Sequence, residues 1–88
     1  MKTMAELKAV NKANGMFWFS KQTMSIFKSK VHGGIIGEKY FITSECGPSE
    51  IRKWSIRTFD EKGDIDTVGD FRVYLTLEEA RQAARLMK

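Results

Sequence analysis

Cysteine and histidine are nearly missing from this 88-residue chain, which has one of each, Cys46 and His32. A single cysteine excludes an intramolecular disulfide. A structural zinc site built from Cys and His needs three or four such ligands, and only two are available. A Cys–His catalytic pair has no support from context, because Cys46 precedes a turn and no helix N-terminus stands near it to lower its pKa. Proline is equally scarce, with Pro48 alone. No apolar run approaches the roughly 18 residues that suggest a bilayer span. Met1 to Gly15 reads as a polar helix, not as the apolar core of a secretion signal. These absences favour a reducing cytosol, with no membrane association, no metal and no cofactor.

What is present suits a folded domain. Hydrophobic residues make up 42% and charged residues 30% of the chain, an ordinary balance for a globular protein. Six Phe, two Trp and two Tyr offer ample apolar area to bury, so disorder is not expected. At this length the chain is one domain, residues 1–88, stabilised by about 5 kcal/mol. The net charge of +4 is unevenly placed. Residues 1–40 hold seven Lys against Glu6 and Glu38; residues 41–88 hold eight basic residues against nine acidic ones. The positive field belongs to the first half and comes from lysine, which suits loose attraction better than bidentate recognition.

Three helices are expected. Thr3 and Glu6 have capping-box spacing ahead of Met4, Leu7 and Val10, and Asn14-Gly15 is a stop, giving a helix over about residues 4–13. Ser20 caps a short second helix from Lys21 to Lys28. The aromatic run Met16-Phe17-Trp18-Phe19 between them plugs the core. Thr76 and Glu79 repeat the capping box, and Leu77, Ala80, Ala83, Ala84 and Met87 form the buried stripe of a third helix. Small residues let that helix lie close against a sheet, and Arg81, Arg85 and Lys88 fall late in it, where cations are favoured.

Between the helices the pattern is extended. His32 to Gly37, with three glycines, reads as a loop, with His32 facing solvent. Lys39 to Thr43 is rich in strand formers, and Cys46-Gly47-Pro48-Ser49 is a turn. The stretch from Ile51 to Phe59 alternates, with Arg52, Trp54, Ile56 and Thr58 on one face and Lys53, Ser55, Arg57 and Phe59 on the other. The Trp54/Ile56 side is the better core face. Asp60-Glu61-Lys62-Gly63 is a hairpin signal leading to a strand at Ile65 to Val68. Phe71 to Leu75 is a further short strand or an extended lead into the last helix. The fold class is therefore α+β: an antiparallel sheet of three or four strands packed by a C-terminal helix, with two N-terminal helices.

Nothing in this layout suggests catalysis. The neighbouring carboxylates at Asp64/Asp66 and Glu78/Glu79 lie in water-exposed positions, whereas general-acid chemistry needs a desolvated acid. The glycine-rich stretch precedes a strand, so no helix N-terminus waits there for a phosphate. No small-molecule ligand is expected. The candidate contact residues, for a protein partner or for nucleic acid, are Lys21, Lys28, Lys30, Lys39, Arg52, Lys53 and Arg57, with Lys53 and Arg57 on an outward sheet face and Phe41 available for base stacking. Asp60, Glu61, Asp64 and Asp66 form an acidic hairpin that phosphates would repel. The same hairpin suits a basic protein surface, or imitates phosphates in a nucleic-acid channel.

Two resemblances add to this reading. Residues Gly37 to Glu45, Ser55-Ile56-Arg57 and Gly63 to Phe71, with Thr23-Met24, Phe27 and Ser29, resemble a family of small uncharacterised proteins of bacteriophages and mobile elements. That family has a Tyr-Phe-x-Thr-Ser-Glu strand and a hairpin ending in Thr-Val-Gly-Glu-Phe; Asp70 stands here for the Glu. The resemblance implies an accessory protein in a bacterial host cytoplasm. In style it suggests an inhibitor that binds a host or defence-system protein, such as a CRISPR effector, in the manner of anti-CRISPR proteins. Residues 54–84 are similar to the three-stranded sheet and helix of ethylene-response-factor and integrase-type DNA-binding domains. That similarity implies DNA contacts by Arg52, Trp54 and Arg57. A third expectation is an accessory factor that dimerises through an edge strand.

Overall fold

The computed structural model describes residues 2–47 and 51–87. Three helices, α1 (Met4–Ala13), α2 (Lys21–Ile26) and α3 (Leu77–Leu86), surround four strands, β1 (Lys30–Ile36), β2 (Tyr40–Cys46), β3 (Arg52–Phe59) and β4 (Ile65–Val68). The strands form one antiparallel sheet in the order β1-β2-β3-β4. The α+β class holds, with α3 packed on the sheet.

The helix ends follow local chemistry. Thr3, Ser20 and Thr76 each accept a hydrogen bond from the backbone N–H three residues on, at Glu6, Thr23 and Glu79. Each satisfies one of the orphan donors of a first turn. Asp60 organises the β3–β4 turn, its carboxylate accepting from the N–H groups of Lys62 and Asp64. Gly63 is left-handed there, and its backbone is pressed against α1, so that a Cβ would lie 2.8 Å from the backbone nitrogen of Asn11.

The expected loop at His32 to Gly37 is corrected: it is mostly the edge strand β1, paired with β2 through Lys30–Ser44, Val31–Thr43 and His32–Ile42. The glycines mark a bulge between His32 and Ile36, where unpaired residues break the alternation that would otherwise reveal a strand. His32 is accordingly half-buried on the sheet. Phe71 to Leu75 adds no strand; only Tyr74 pairs, by an isolated bridge to Trp54. The expected turn at Cys46 to Ser49 extends into Pro48 and Ser49, which lie outside the described residues, as does Lys88.

Strand alternation sorts side chains onto two faces, and both are covered. On one, His32, Ile42, Ser44, Trp54 and Ile56 face α3, whose Ala80 and Ala84 are fully buried. Two methyl-sized side chains let the helix approach closely, and Ile42 and Ile56 are wholly removed from water, worth about 1.5–3 kcal/mol each. The other face, with Phe41, Thr43, Glu45, Ser55, Arg57 and Phe59, carries the N-terminal half of the chain. Trp18 and Phe19 pack on Phe41 with ring centroids 6.0 Å away. Asn11, buried in α1, ties that layer together: its amide donates to Gly63 O at 2.7 Å and accepts from the N–H of Trp18 at 3.2 Å.

Candidate functional site

The second sheet face is unusual in its chemistry. Phe41 is followed on that face by Thr43 and Glu45, opposite Ser55 and Arg57, and all five are buried. A buried charge must be paired and hydrogen-bonded or it destabilises the fold by several kcal/mol. Both conditions are met. The Arg57 guanidinium donates to Glu45 at 3.1 Å, to the hydroxyl of Thr43 at 3.0 Å, and to the hydroxyl of Thr67. Ser55 donates to the other Glu45 oxygen at 2.8 Å and accepts from the N–H of Arg72 at 2.8 Å. The guanidinium also lies 5.2 Å from the ring centroids of both Trp18 and Phe71, close enough for a cation–π attraction to each.

Arg57 was expected on an outward face and Phe41 was expected to be free for stacking. Both expectations are overturned, because the aromatic run and α2 cover that face. Alternation along β3 places Arg57 on the face opposite Trp54; what it could not show was that this face is roofed.

Around the Arg57 stack opens a cleft of about 230 Å³, lined by Trp18, Met24, Ile26, Phe27, Arg57 and Phe71 among others. Phe27 and Phe71 meet edge to face at 5.4 Å across its mouth. Ile26 is 70% exposed, and both rings are also substantially open to water. The chain holds this rim by local constraint. Ser29 N–H bonds back to Met24 O at 2.7 Å, closing α2, and Phe27 O accepts from Cys46 N–H at 2.7 Å. Arg72, left-handed after Phe71, lies over Gly47 and donates to Glu45 O and Ile51 O.

The remaining candidate residues do not form one surface. Lys21 opens α2 and Lys28 lies beyond its end, because the helix stops at Ile26 and not at Lys28 as expected; both lysines are exposed. Lys28, Lys30 and Arg52 gather where β1 begins, with Arg52 donating to Lys28 O at 3.0 Å. Lys39 sits at the opposite end of the sheet, in the β1–β2 turn. Lys53 is half-buried on the second face, paired with Glu45 in register. Asp60, Glu61, Asp64 and Asp66 are exposed as expected, and Glu38 joins Asp60 and Glu61 around a shallow depression. The molecule thus has a basic end and an acidic end. Arg52 and Trp54 share the α3 face while Arg57 lies on the other, so the three contact residues implied by the DNA-binding resemblance are divided between opposite sides of the sheet.

Sequence reasoning missed Asn11, Ser44, Glu45 and Arg81 as organisers. Glu45 had a visible signal, an acid within a run of strand formers two positions from Thr43 on the face shared by Arg57. Among the described residues, no group of three His, Cys, Asp or Glu side chains could hold a metal ion, and no helix is long and apolar enough to cross a membrane.

Residues 3–85 match the family of unknown function DUF7447. The chain belongs to that family. Neither the curated proteins nor the solved structures contain a match to it. For this DUF7447 member, the functional argument therefore rests on its own surfaces, above all on the cleft beside Arg57.

Proposed function

We propose that the chain is a non-catalytic protein-binding domain that engages its partner through the cleft between α2 and Phe71. The observation that carries this reading is the open apolar rim of Ile26, Phe27 and Phe71 above the Trp18–Arg57–Phe71 stack. Adjacent exposed apolar side chains around a concavity are a common mark of an interaction site. Aromatic residues and Arg at the centre of such a surface are the usual carriers of binding energy. The floor is held by its own hydrogen bonds before any partner arrives, so little ordering entropy is lost on binding.

Charge narrows the partner. Residues 7–37 contain five lysines and no acidic residue, and Lys21 and Lys28 flank the cleft wall. A complementary surface would present an apolar anchor among carboxylates. In the phage or mobile-element setting that the sequence resemblance implies, the partner is a host or defence-system protein, a CRISPR effector being one candidate, and the consequence of binding is inhibition. A DNA- or RNA-binding module that uses an open sheet face has less support, since helices or aromatic residues cover both faces.

The test pairs capture with a surface variant. Wild-type protein should retain one partner from host lysate or from a panel of purified CRISPR effectors, in equimolar complex, and should inhibit an effector so retained. Ile26→Glu should abolish retention and Lys39→Gln should preserve it. If the wild type retains none of these proteins, or if retention survives Ile26→Glu, the reading fails.

A further inference from the structure

The opposite side of the sheet holds a cluster that the cleft does not use. Ser44 lies between two partners: Arg52 donates to its hydroxyl at 2.6 Å, and that hydroxyl lies 2.6 Å from Nε2 of His32. With one O–H donor and two acceptor lone pairs, that hydroxyl can accept from Arg52 and still bond His32 in either tautomer, so it links the guanidinium to the imidazole. Burial and the charges of Arg52, Lys30 and Arg81 all hold the His32 pKa below its ordinary value, against a weaker opposing effect from Glu45. Arg52 shares the Ser44 hydroxyl with this imidazole, Lys30 pairs with Ser44 in register and lies on the same sheet face, and Arg81 is the third cation of the group.

The glycine bulge explains how the third one gets there. A guanidinium nitrogen of Arg81 comes within 3.8 Å of the point a Cβ would occupy on left-handed Gly33, so α3 rests this side chain against β1 where the strand has no side chain of its own. Among the described residues the only ion pair is Arg57–Glu45, so none of the described carboxylates pairs with Lys30, Arg52 or Arg81. Like charges held together without a counter-charge are mutually destabilising. Beside them, the indole N–H of Trp54, whose ring centre is 6.1 Å from that of His32, is buried with no acceptor. A buried donor without a partner asks for an explanation. Among the described residues, the cluster has donors and positive charge in excess and no carboxylate paired with it.

We infer that Lys30, His32, Arg52 and Arg81 form a binding site for a phosphate group on the α3 side of the sheet. A phosphate brings several acceptor oxygens and up to two negative charges, which matches cations arriving from β1, β3 and α3 better than a single carboxylate does. Arg52 is already oriented by Ser44 and Lys28 O, so it meets the ligand without a loss of side-chain freedom.

The experiment follows the His32 ring and arginine Nε signals of the full-length protein by NMR. It uses inorganic phosphate in one titration and a short single-stranded oligothymidylate in another. Saturable shifts at His32 and Arg81 are expected with both probes. Arg81→Gln and, separately, Lys30→Gln should each weaken binding by about tenfold. Lys39→Gln, at the far end, and Ile26→Glu, at the protein-binding cleft, should leave it unchanged. Tighter binding of the oligonucleotide would assign the phosphate to a nucleic-acid backbone, and equal binding to a free phosphate ligand. The inference is overturned if neither probe gives a saturable shift, or if Lys39→Gln weakens binding as much as Arg81→Gln does. Because Ile26→Glu acts only on the cleft, failure here and failure of the protein-binding reading are distinguishable.

Discussion

Arg57 reaches along its sheet face to pair with Glu45 at 3.1 Å, although in strand register it stands opposite Phe41. The pair spans β2 and β3 beneath the N-terminal layer and has almost no contact with solvent. Its net value over a hydrophobic alternative is small, because desolvation of two charges offsets much of their attraction. Its value against half of itself is large.

Removing one partner should therefore be severe. Glu45→Ala or Arg57→Ala is expected to lower stability by about 3–5 kcal/mol, comparable to the total available to a domain of this size. Urea denaturation followed by circular dichroism would show a variant largely unfolded at room temperature. The double change Glu45→Met with Arg57→Met should recover much of the loss. A single variant that unfolds at the wild-type urea midpoint would show that the pair is dispensable.

Two of the left-handed glycines, Gly63 and Gly69, should respond differently to alanine. Both would impose a left-handed backbone on an L-residue, at about 1–2 kcal/mol. At Gly69 the new methyl meets open space, whereas at Gly63 it would collide with the backbone of Asn11. Gly63→Ala should cost clearly more, and it should also loosen α1. Thermal melts of the two variants provide the comparison, and equal losses would refute the close packing of α1 on the hairpin.

His32 makes stability depend on pH in a defined direction. Its folded-state pKa is depressed, first by burial and then by Arg52, Lys30 and Arg81. The unfolded chain thus binds a proton more readily than the folded one, and stability rises with pH. Above the unfolded-state value of about 6.5, His32 contributes no penalty. As the pH falls through that value the native state loses stability, until the folded-state pKa is passed. His32→Gln should remove this part of the pH profile, as read from urea midpoints between mildly acidic and neutral solution. An unchanged profile would exclude His32 as its source.

The caps should behave as local and nearly additive contributions. Thr76→Ala removes the acceptor for the Glu79 N–H at 3.1 Å and should cost about 1 kcal/mol. Thr3→Ala, at the equivalent position of α1, should cost a similar amount. The double variant should lose their sum, because distant sites act independently. A markedly larger loss would mean that α1 and α3 are coupled through the sheet.

Much of this architecture was written locally. Thr3, Ser20 and Thr76 announce their helices because a capping hydroxyl acts within three residues of itself. Asp60 and Gly63 announce the hairpin for the same reason, and the alternation from Arg52 to Phe59 separates Trp54 from Arg57 whatever surrounds them. The alanines of α3 likewise foretell a helix lying close to a sheet. Edge strand β1 was hidden, since Gly33 and Gly34 carry no strand preference and only pairing with β2 makes that segment extended.

The sequence by itself determined the helices, the hairpin, the sorting of side chains onto two faces and the uneven charge, all of which depend on spacing along the chain. Only the tertiary structure decided that Trp18 and α2 roof the second face, turning Arg57 from a surface cation into a buried partner of Glu45. It also decided that the Arg81 guanidinium rests against β1 at Gly33. Both outcomes join residues far apart in sequence, and burial and Coulomb interaction depend on distance in space, which no local pattern encodes.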